Sequence, residues 1–397
     1  MKLKSLFLGS AAALALGTSA QAADPIAVAL DVCDLLGISG LTISSETNCL
    51  KFTGNVSYEW KWDIDASTTT GDLDWALKAV ATADSDFGPA MAVIELREKE
   101  DNIMATGNPA VAPATLTAGP NDVVLHEAYV GIGDSSSTVL YAGKKGSVVK
   151  QGDDDTFTAI FSLDALGLSG DAAGSDEGLA LGGGVATGGY VLQASASLGD
   201  GVNAAVGLED LGTANNASLI GAIGVKQDWG TAHASFVLDD IIQAANVWAL
   251  HAGATFNVDE MSFRVAFETA SDNTWSGLLT GKATFDMFTL AAGVEFDNAS
   301  QWEAAVSGVA KVDDNVTLTA AGRWDDNSNW DIALKGAFKV SDTLTASAKI
   351  NFDEASLTAL ETDLDWAPGG GTKVNVGFNA DSAGNTSLST KFSKTFE

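Results

Sequence analysis

The 397-residue chain carries 52 acidic against 21 basic side chains, a formal charge of −31, with three His and two Cys. So acidic a chain lacks the clustered Lys and Arg that nucleic-acid phosphates require, so no nucleic-acid partner is expected. A hydrophobic content of 46% with ten Trp excludes a disordered chain, and the scarcity of His and Cys argues against metal catalysis.

The first element is "MKLKSLFLGSAAALALGTSAQA", residues 1–22, with Lys2 and Lys4, an apolar run over 6–16, and Ala20 and Ala22. This is a secretory signal peptide cut before Ala23. Its apolar run is about half the roughly 20 residues that a spanning helix needs. Residues 23–48 form a segment ahead of the first strand. Its Cys33 pairs in expectation with Cys49, because an exported chain meets an oxidising compartment. Closing that loop of about 15 residues contributes roughly 3 kcal/mol in the chain-entropy picture.

In "CLKFTGNVSYEWKWDID", residues 49–65, Leu50, Phe52, Val56, Tyr58, Trp60, Trp62 and Ile64 share one parity. Lys51, Thr53, Asn55, Ser57, Glu59, Lys61, Asp63 and Asp65 take the other. A period of two is a strand with one apolar and one polar face. Its length far exceeds the about 5–6 residues of an ordinary strand. "SQWEAAVSGVAKVD", "NVTLTAAGRWDD" and "NWDIALKGAFKV" repeat the pattern. Between such stretches stand turn signals: Asp200-Gly201, Asp228-Trp229-Gly230, Asp259-Glu260, Asp286-Met287, Asp313-Asp314-Asn315, Ser341-Asp342 and residues 368–371. They recur about every 27 to 30 residues.

That spacing holds two strands of about 11 residues, a loop and a tight turn, and strands of roughly 9–11 tilted residues are what a hydrocarbon layer demands. Ten hairpins, about 20 strands, fit the chain on this count. A soluble sandwich has shorter strands, turns its apolar faces inward and leaves raw edges. In lipid every backbone N–H and C=O must be bonded internally, so the sheet closes. The expectation is an all-β fold: a closed antiparallel transmembrane β-barrel of 16–20 strands over residues 49–397. Its periplasmic turns are short, its outer face apolar and its inner face polar. Trp60, Trp62, Trp229, Trp302, Trp324, Trp330 and Trp366 lie near strand ends, where indoles meet headgroups.

The alternation lapses at 23–48, at 100–121 and, for longest, at 149–188. The last mixes acids with an apolar stretch holding Phe157, Ile160, Phe161 and Leu163. An external loop has no need of that stretch, so residues 149–188 are read as a pore-constricting loop folded into the barrel. Its candidate acids are Asp153, Asp154, Asp155 and Asp164. The candidate basic residues of the pore wall are Lys51, Lys61, Lys78, Arg97, Lys144 and Arg323, all but Lys144 on the polar parity.

"VCDLLGISGLTISSETNCLKFTGNVSYEW" resembles the opening of the alphaproteobacterial general porins, with Cys33, Cys49, Leu50, Lys51, Gly54 and Val56 at the matching positions. "EAYVGIGDSSSTVLYAGKKGS" is similar to that family's fourth and fifth strands, with Gly143 and Lys144 just before the constricting third loop. The family usually has 16 strands and a C-terminal aromatic. Here the hairpin spacing favours more strands, and Phe396 is followed by Glu397.

The resemblance implies passive diffusion of small hydrophilic solutes and ions across a bacterial outer membrane by a homotrimer, among lipid and lipopolysaccharide. Inner-face acids outnumber bases, so a weak cation preference is expected, cut down by screening within about 8–10 Å. A sugar-specific channel is the rival reading and would need an aromatic track through the pore. No enzyme, cofactor or metal site is expected: no G-x-S-x-G occurs, and His126, His233 and His251 have no nucleophile motif beside them. Asp239-Asp240 and Asp325-Asp326-Asn327 are read as solvated loop tips, with divalent ions bridging to lipopolysaccharide as the alternative.

Overall fold

The computed structural model describes residues 32–98, 123–149, 187–212, 217–242, 247–355 and 358–397. Residues 1–31, on which the expected signal peptide falls, residues 100–121 and most of 149–188, including Asp153, Asp154, Asp155 and Asp164, lie outside the described residues.

The alternating stretch at the start becomes β2 (Asn48–Asp63), paired along its whole length with β3 (Thr68–Ala83), from Asn48↔Ala83 to Asp63↔Thr68. The wall continues through β4 (Ala90–Glu98), β5 (Val123–Gly133), β6 (Thr138–Lys145), β7 (Gly189–Gly199) and β8 (Val202–Glu209). Next come β9 (Ser218–Gln227), β10 (Gly230–Asp239), β11 (Val247–Val258), β12 (Met261–Ala270) and β13 (Trp275–Phe285). It ends with β14 (Phe288–Asp297), β15 (Trp302–Lys311), β16 (Val316–Asp325), β17 (Trp330–Ser341), β18 (Leu344–Asp353), β19 (Thr358–Gly369), β20 (Thr372–Asp381) and β21 (Thr386–Phe396). Each pairs antiparallel with its predecessor, and β21 returns to β2 from Gly54↔Phe396 to Asp63↔Ser387. The result is a closed barrel of 20 strands, the number the hairpin spacing predicts. At the seam the Phe396 ring fills the place of a missing side chain: a Cβ on Gly54 would lie 2.6 Å from Phe396 Cζ.

Short β1 (Leu41–Ser44) takes over the edge of β2 where β21 runs out, pairing Leu41↔Phe52 to Ser44↔Cys49. The Leu41 N–H donates to the Glu397 carbonyl at 3.0 Å, joining β1 end to end with β21. The one-turn helix α1 (Val32–Leu35) is tied to β2 by the Cys33–Cys49 disulfide, as expected.

One end of the barrel turns tightly. Asp200, Asp259 and Asp286 adopt φ of 48–51° there, the left-handed conformation that Asp tolerates better than most residues. At the other end, Trp248, Trp275, Trp302 and Trp330 recur at strand starts. Each offers its carbonyl to the N–H of a residue in the next loop: Ser271, Asn298, Asp326 and Glu354, at 2.9 to 3.2 Å. At strand ends on this side, acids build the turn. Asp297, Asp325 and Asp381 accept the backbone N–H four residues on, from Gln301, Asn329 and Asn385, at 2.7 to 2.9 Å. The carboxylate of Asp325 is thus a turn scaffold, and that of Asp239 accepts from Ser218 Oγ at 2.5 Å.

Parity sorts the faces as predicted for most of the wall. Val306, Leu318, Trp324, Leu334 and Phe338 stand exposed on the outside, while Glu303, Ser307 and Arg323 face inward. The expectation of a wholly polar inner face needs correction. Val93, Val139, Val191, Ile220, Val237 and Leu278 also take the inner parity and are buried. Two of them explain themselves: Ile220 and Val237 pack against Val149, with Val148 beside them, where the chain leaves β6. At these two positions the inner wall receives another part of the chain, so they escape water without facing lipid.

Candidate functional site

The charges of the inner wall gather into clusters that the strand registers assemble. On β3, β4 and β5, Lys78 Nζ lies 3.3 Å from Glu95 Oε2 and 2.6 Å from Glu127 Oε2. Arg97 Nε donates to Glu95 Oε1 at 3.0 Å, its Nη2 lies 3.0 Å from that oxygen, and His126 Nδ1 is 3.3 Å from it. The pairing explains the grouping: Lys78 faces Glu95, and Glu95 faces Glu127. Between Glu95↔Glu127 and Leu96↔Leu125 the register shifts, leaving His126 as the extra residue of a β-bulge. Such a bulge re-aims a side chain. Here it sets two successive residues, His126 and Glu127, against one Glu95.

A second cluster lies on β15, β16 and β17. Arg323 donates through Nε and Nη2 to Asp331 Oδ2 at 3.2 and 2.7 Å, and its Nε stands 3.2 Å from Glu303 Oε1 in an ion pair. Glu303 is wholly buried, which a carboxylate tolerates only beside compensating charge and donors. A third group holds His233 Nε2 3.3 Å from His251 Nδ1, and Ser276 Oγ donates to Glu268 at 2.7 Å. Arg264 is buried on the same inner parity as Glu268.

The neck of the long excursion is held by a fourth group. The Glu209 carboxylate accepts from the Val148 N–H at 3.1 Å, the Gly188 N–H at 2.5 Å and Gln193 Nε2 at 2.7 Å. Gln193 also donates to the Gly146 carbonyl at 2.9 Å. Both ends of the stretch after β6 therefore converge on one buried carboxylate.

Of the basic residues named from sequence, Lys78 and Arg97 come together and Arg323 stands in the second cluster. Lys51 and Lys61 keep the inner parity but sit ten residues apart on β2, about 34 Å along a strand, so they join neither. Lys144 takes the outer parity, paired with Ala128 and Tyr190, and donates to the Leu125 carbonyl at 2.5 Å. Lys145 is the inward residue, with its ammonium 4.8 Å from the Tyr141 ring centre and 5.7 Å from that of Tyr129. The acidic candidates lie outside the described residues. Sequence reasoning missed Glu95, Glu127, Glu209 and Lys145 as site residues, all of which strict alternation would have found, whereas the bulged His126 breaks that alternation.

A family model described as the porin subfamily matches residues 21–372. The porin Omp2b of Brucella canis is 29% identical over 178 residues, covering 40% of this chain and 47% of that protein. A Brucella suis Omp2b is 28% identical over 185 residues, covering 40% and 45%. The chain thus spans about half the length of the curated relatives it matches. Among solved structures, a mutant of the Rhodopseudomonas blastica porin covers 87% of this chain and 100% of its own, at 14% identity and a TM-score of 0.41. A loop-deletion mutant of Vibrio cholerae OmpT covers 88% and 100%, at 10% identity and 0.41.

Proposed function

Because the chain belongs to the porin subfamily, we propose that it is a passive outer-membrane channel for small hydrophilic solutes and ions, weakly cation-preferring. One observation carries the reading. The 20-strand cylinder turns apolar side chains outward and ion-paired charges inward. A barrel of about 8 strands is filled by its own side chains, whereas one of 16 or more encloses water. Paired charges of both signs on that wall set a local field without closing the passage.

Residues 149–188 constrict the pore in this reading, supported by Val149 against Ile220 and Val237 and by the Glu209 clasp. Three copies associate through the outer wall of β3 to β9. Ala81, Ala92, Ala142 and Ala194 there floor an apolar concavity of about 870 Å³ rimmed by Leu140 and Leu192. Small residues let neighbouring walls approach closely. The remaining outer belt faces lipid and, in the outer leaflet, lipopolysaccharide. The scarcity of inner-face aromatics among the described residues, with Tyr129 and Tyr141 as an isolated pair, weighs against a sugar track.

Planar-bilayer recording on the purified protein tests the reading. Conductance that rises with salt, with a reversal potential favouring cations, is the expected result. An anion-favouring potential, or a small saturable conductance blocked by one sugar, would overturn it.

A further inference from the structure

We propose that Glu95, His126 and Glu127 form a binding site for a divalent transition-metal ion of the zinc class on the inner wall. One imidazole nitrogen and two carboxylate oxygens from these residues lie within 4.8 Å of one another. Metal–nitrogen and metal–oxygen bonds of about 2.0–2.2 Å in a tetrahedron separate neighbouring ligand atoms by about 3.3 Å. The observed 3.3 Å between His126 Nδ1 and Glu95 Oε1 already meets that spacing. Glu127 closes the set by a rotation of its flexible side chain.

Two further features point the same way. The bulge spends an unpaired residue to bring His126 onto Glu95 when plain alternation would have turned it outward. And the space between the carboxylates is already cation-binding, since the Lys78 ammonium bridges Glu95 and Glu127. A divalent ion would displace that ammonium, so Lys78 is a built-in competitor, while Arg97 remains on Glu95. The site is open to an ion from solution, with the His126 side chain 41% and that of Lys78 33% exposed. An imidazole with two carboxylates and room for water suits Zn²⁺, Ni²⁺ or Cu²⁺. Ca²⁺ seeks six to eight oxygens and Mg²⁺ an octahedron of them. The His233–His251 pair is the competing location, but His251 is buried.

Zinc chloride titrated calorimetrically into the full-length protein in detergent tests the site by heat alone, so its failure is separable from failure of the channel reading. One saturable site per chain is expected, unmoved by excess calcium. His126→Ala, with His126→Gln as the gentler variant, should weaken binding at least about tenfold, since changes to outer-shell partners alone cost 10–100-fold. Lys78→Met should tighten it, which a merely structural role for the cluster would not produce. The absence of saturable heat, undiminished affinity in both His126 variants, a failure of Lys78→Met to tighten binding, or equal competition by calcium would each overturn the proposal.

Discussion

Gly188 donates its backbone N–H to the Glu209 carboxylate at 2.5 Å, from the far side of a long excursion whose near side, Val148, donates to the same group. A single buried acid thus fixes where that excursion leaves the wall and where it returns. Glu209→Ala strands three donors in a buried place, so it should cost about 3 kcal/mol. Glu209→Gln keeps one good acceptor and should cost about 1–2 kcal/mol. Urea unfolding from detergent, followed by tryptophan fluorescence, reads both; equal and negligible losses would show that the clasp is incidental.

The Cys33–Cys49 bond spans 16 residues of sequence and anchors α1 beside the foot of β2. A Cys33→Ser, Cys49→Ser double variant should lose about 3 kcal/mol. Circular dichroism should still report the full sheet, because the strands themselves are held by their neighbours. Reduction of the wild type with a thiol reagent should reproduce the same midpoint shift.

Arg323 joins Glu303 and Asp331 on the inner wall. Replacing it with Gln removes one positive charge from the passage, so reversal potentials should move toward cations. At low salt the permeability ratio should change by about twofold, fading as the screening length shortens. Asp331→Asn should move it the other way. A shift of the same sign in both variants would mean that wall distortion, and not charge, is being measured.

Asp272 lies in the loop between β12 and β13, outside the spanning strands. The Thr274 hydroxyl, at 2.6 Å, and the Thr274 N–H, at 3.0 Å, hold its carboxyl below the ordinary Asp value. A depressed carboxyl stabilises the folded form above its unfolded-state value, and that contribution disappears as pH falls through the folded one. Carbon-detected NMR titration should show Asp272 ionising at lower pH than a free Asp. Thr274→Val should bring it back up, while leaving Asp325, at the end of β16, unmoved.

The alternation of β2 and of β15 to β17 announced both faces, because large aromatics and aliphatics there take one parity and the charged residues the other. The hairpin spacing carried the strand number for a related reason: turns at Asp259 or Asp286 need residues that tolerate the left-handed backbone. Parity also placed Lys78, Arg97 and Arg323. Lys144 was one residue off, since a run of two lysines gives parity nothing to choose between. His126 was illegible as an inward residue because a bulge is a fault in alternation, and one extra residue leaves no mark in composition. Ile220 and Val237 were illegible too, as "SLIGAIGV" and "TAHASFVLD" set apolar against small residues with little polar contrast. Glu209 reads like any other inward acid until its donors arrive from distant parts of the chain.

The seam between β2 and β21 has a kinetic consequence. Every other strand pairs with the neighbour made just before it in the chain. The first and last must find each other across nearly the whole chain, and such closures are slow because the intervening loop loses so much freedom. Until they meet, the growing wall has two sticky rims, one of them bearing Trp60 and Trp62. The little β1 flap guards only the base of that rim, so the last step of maturation is also the moment of greatest exposure to misassembly.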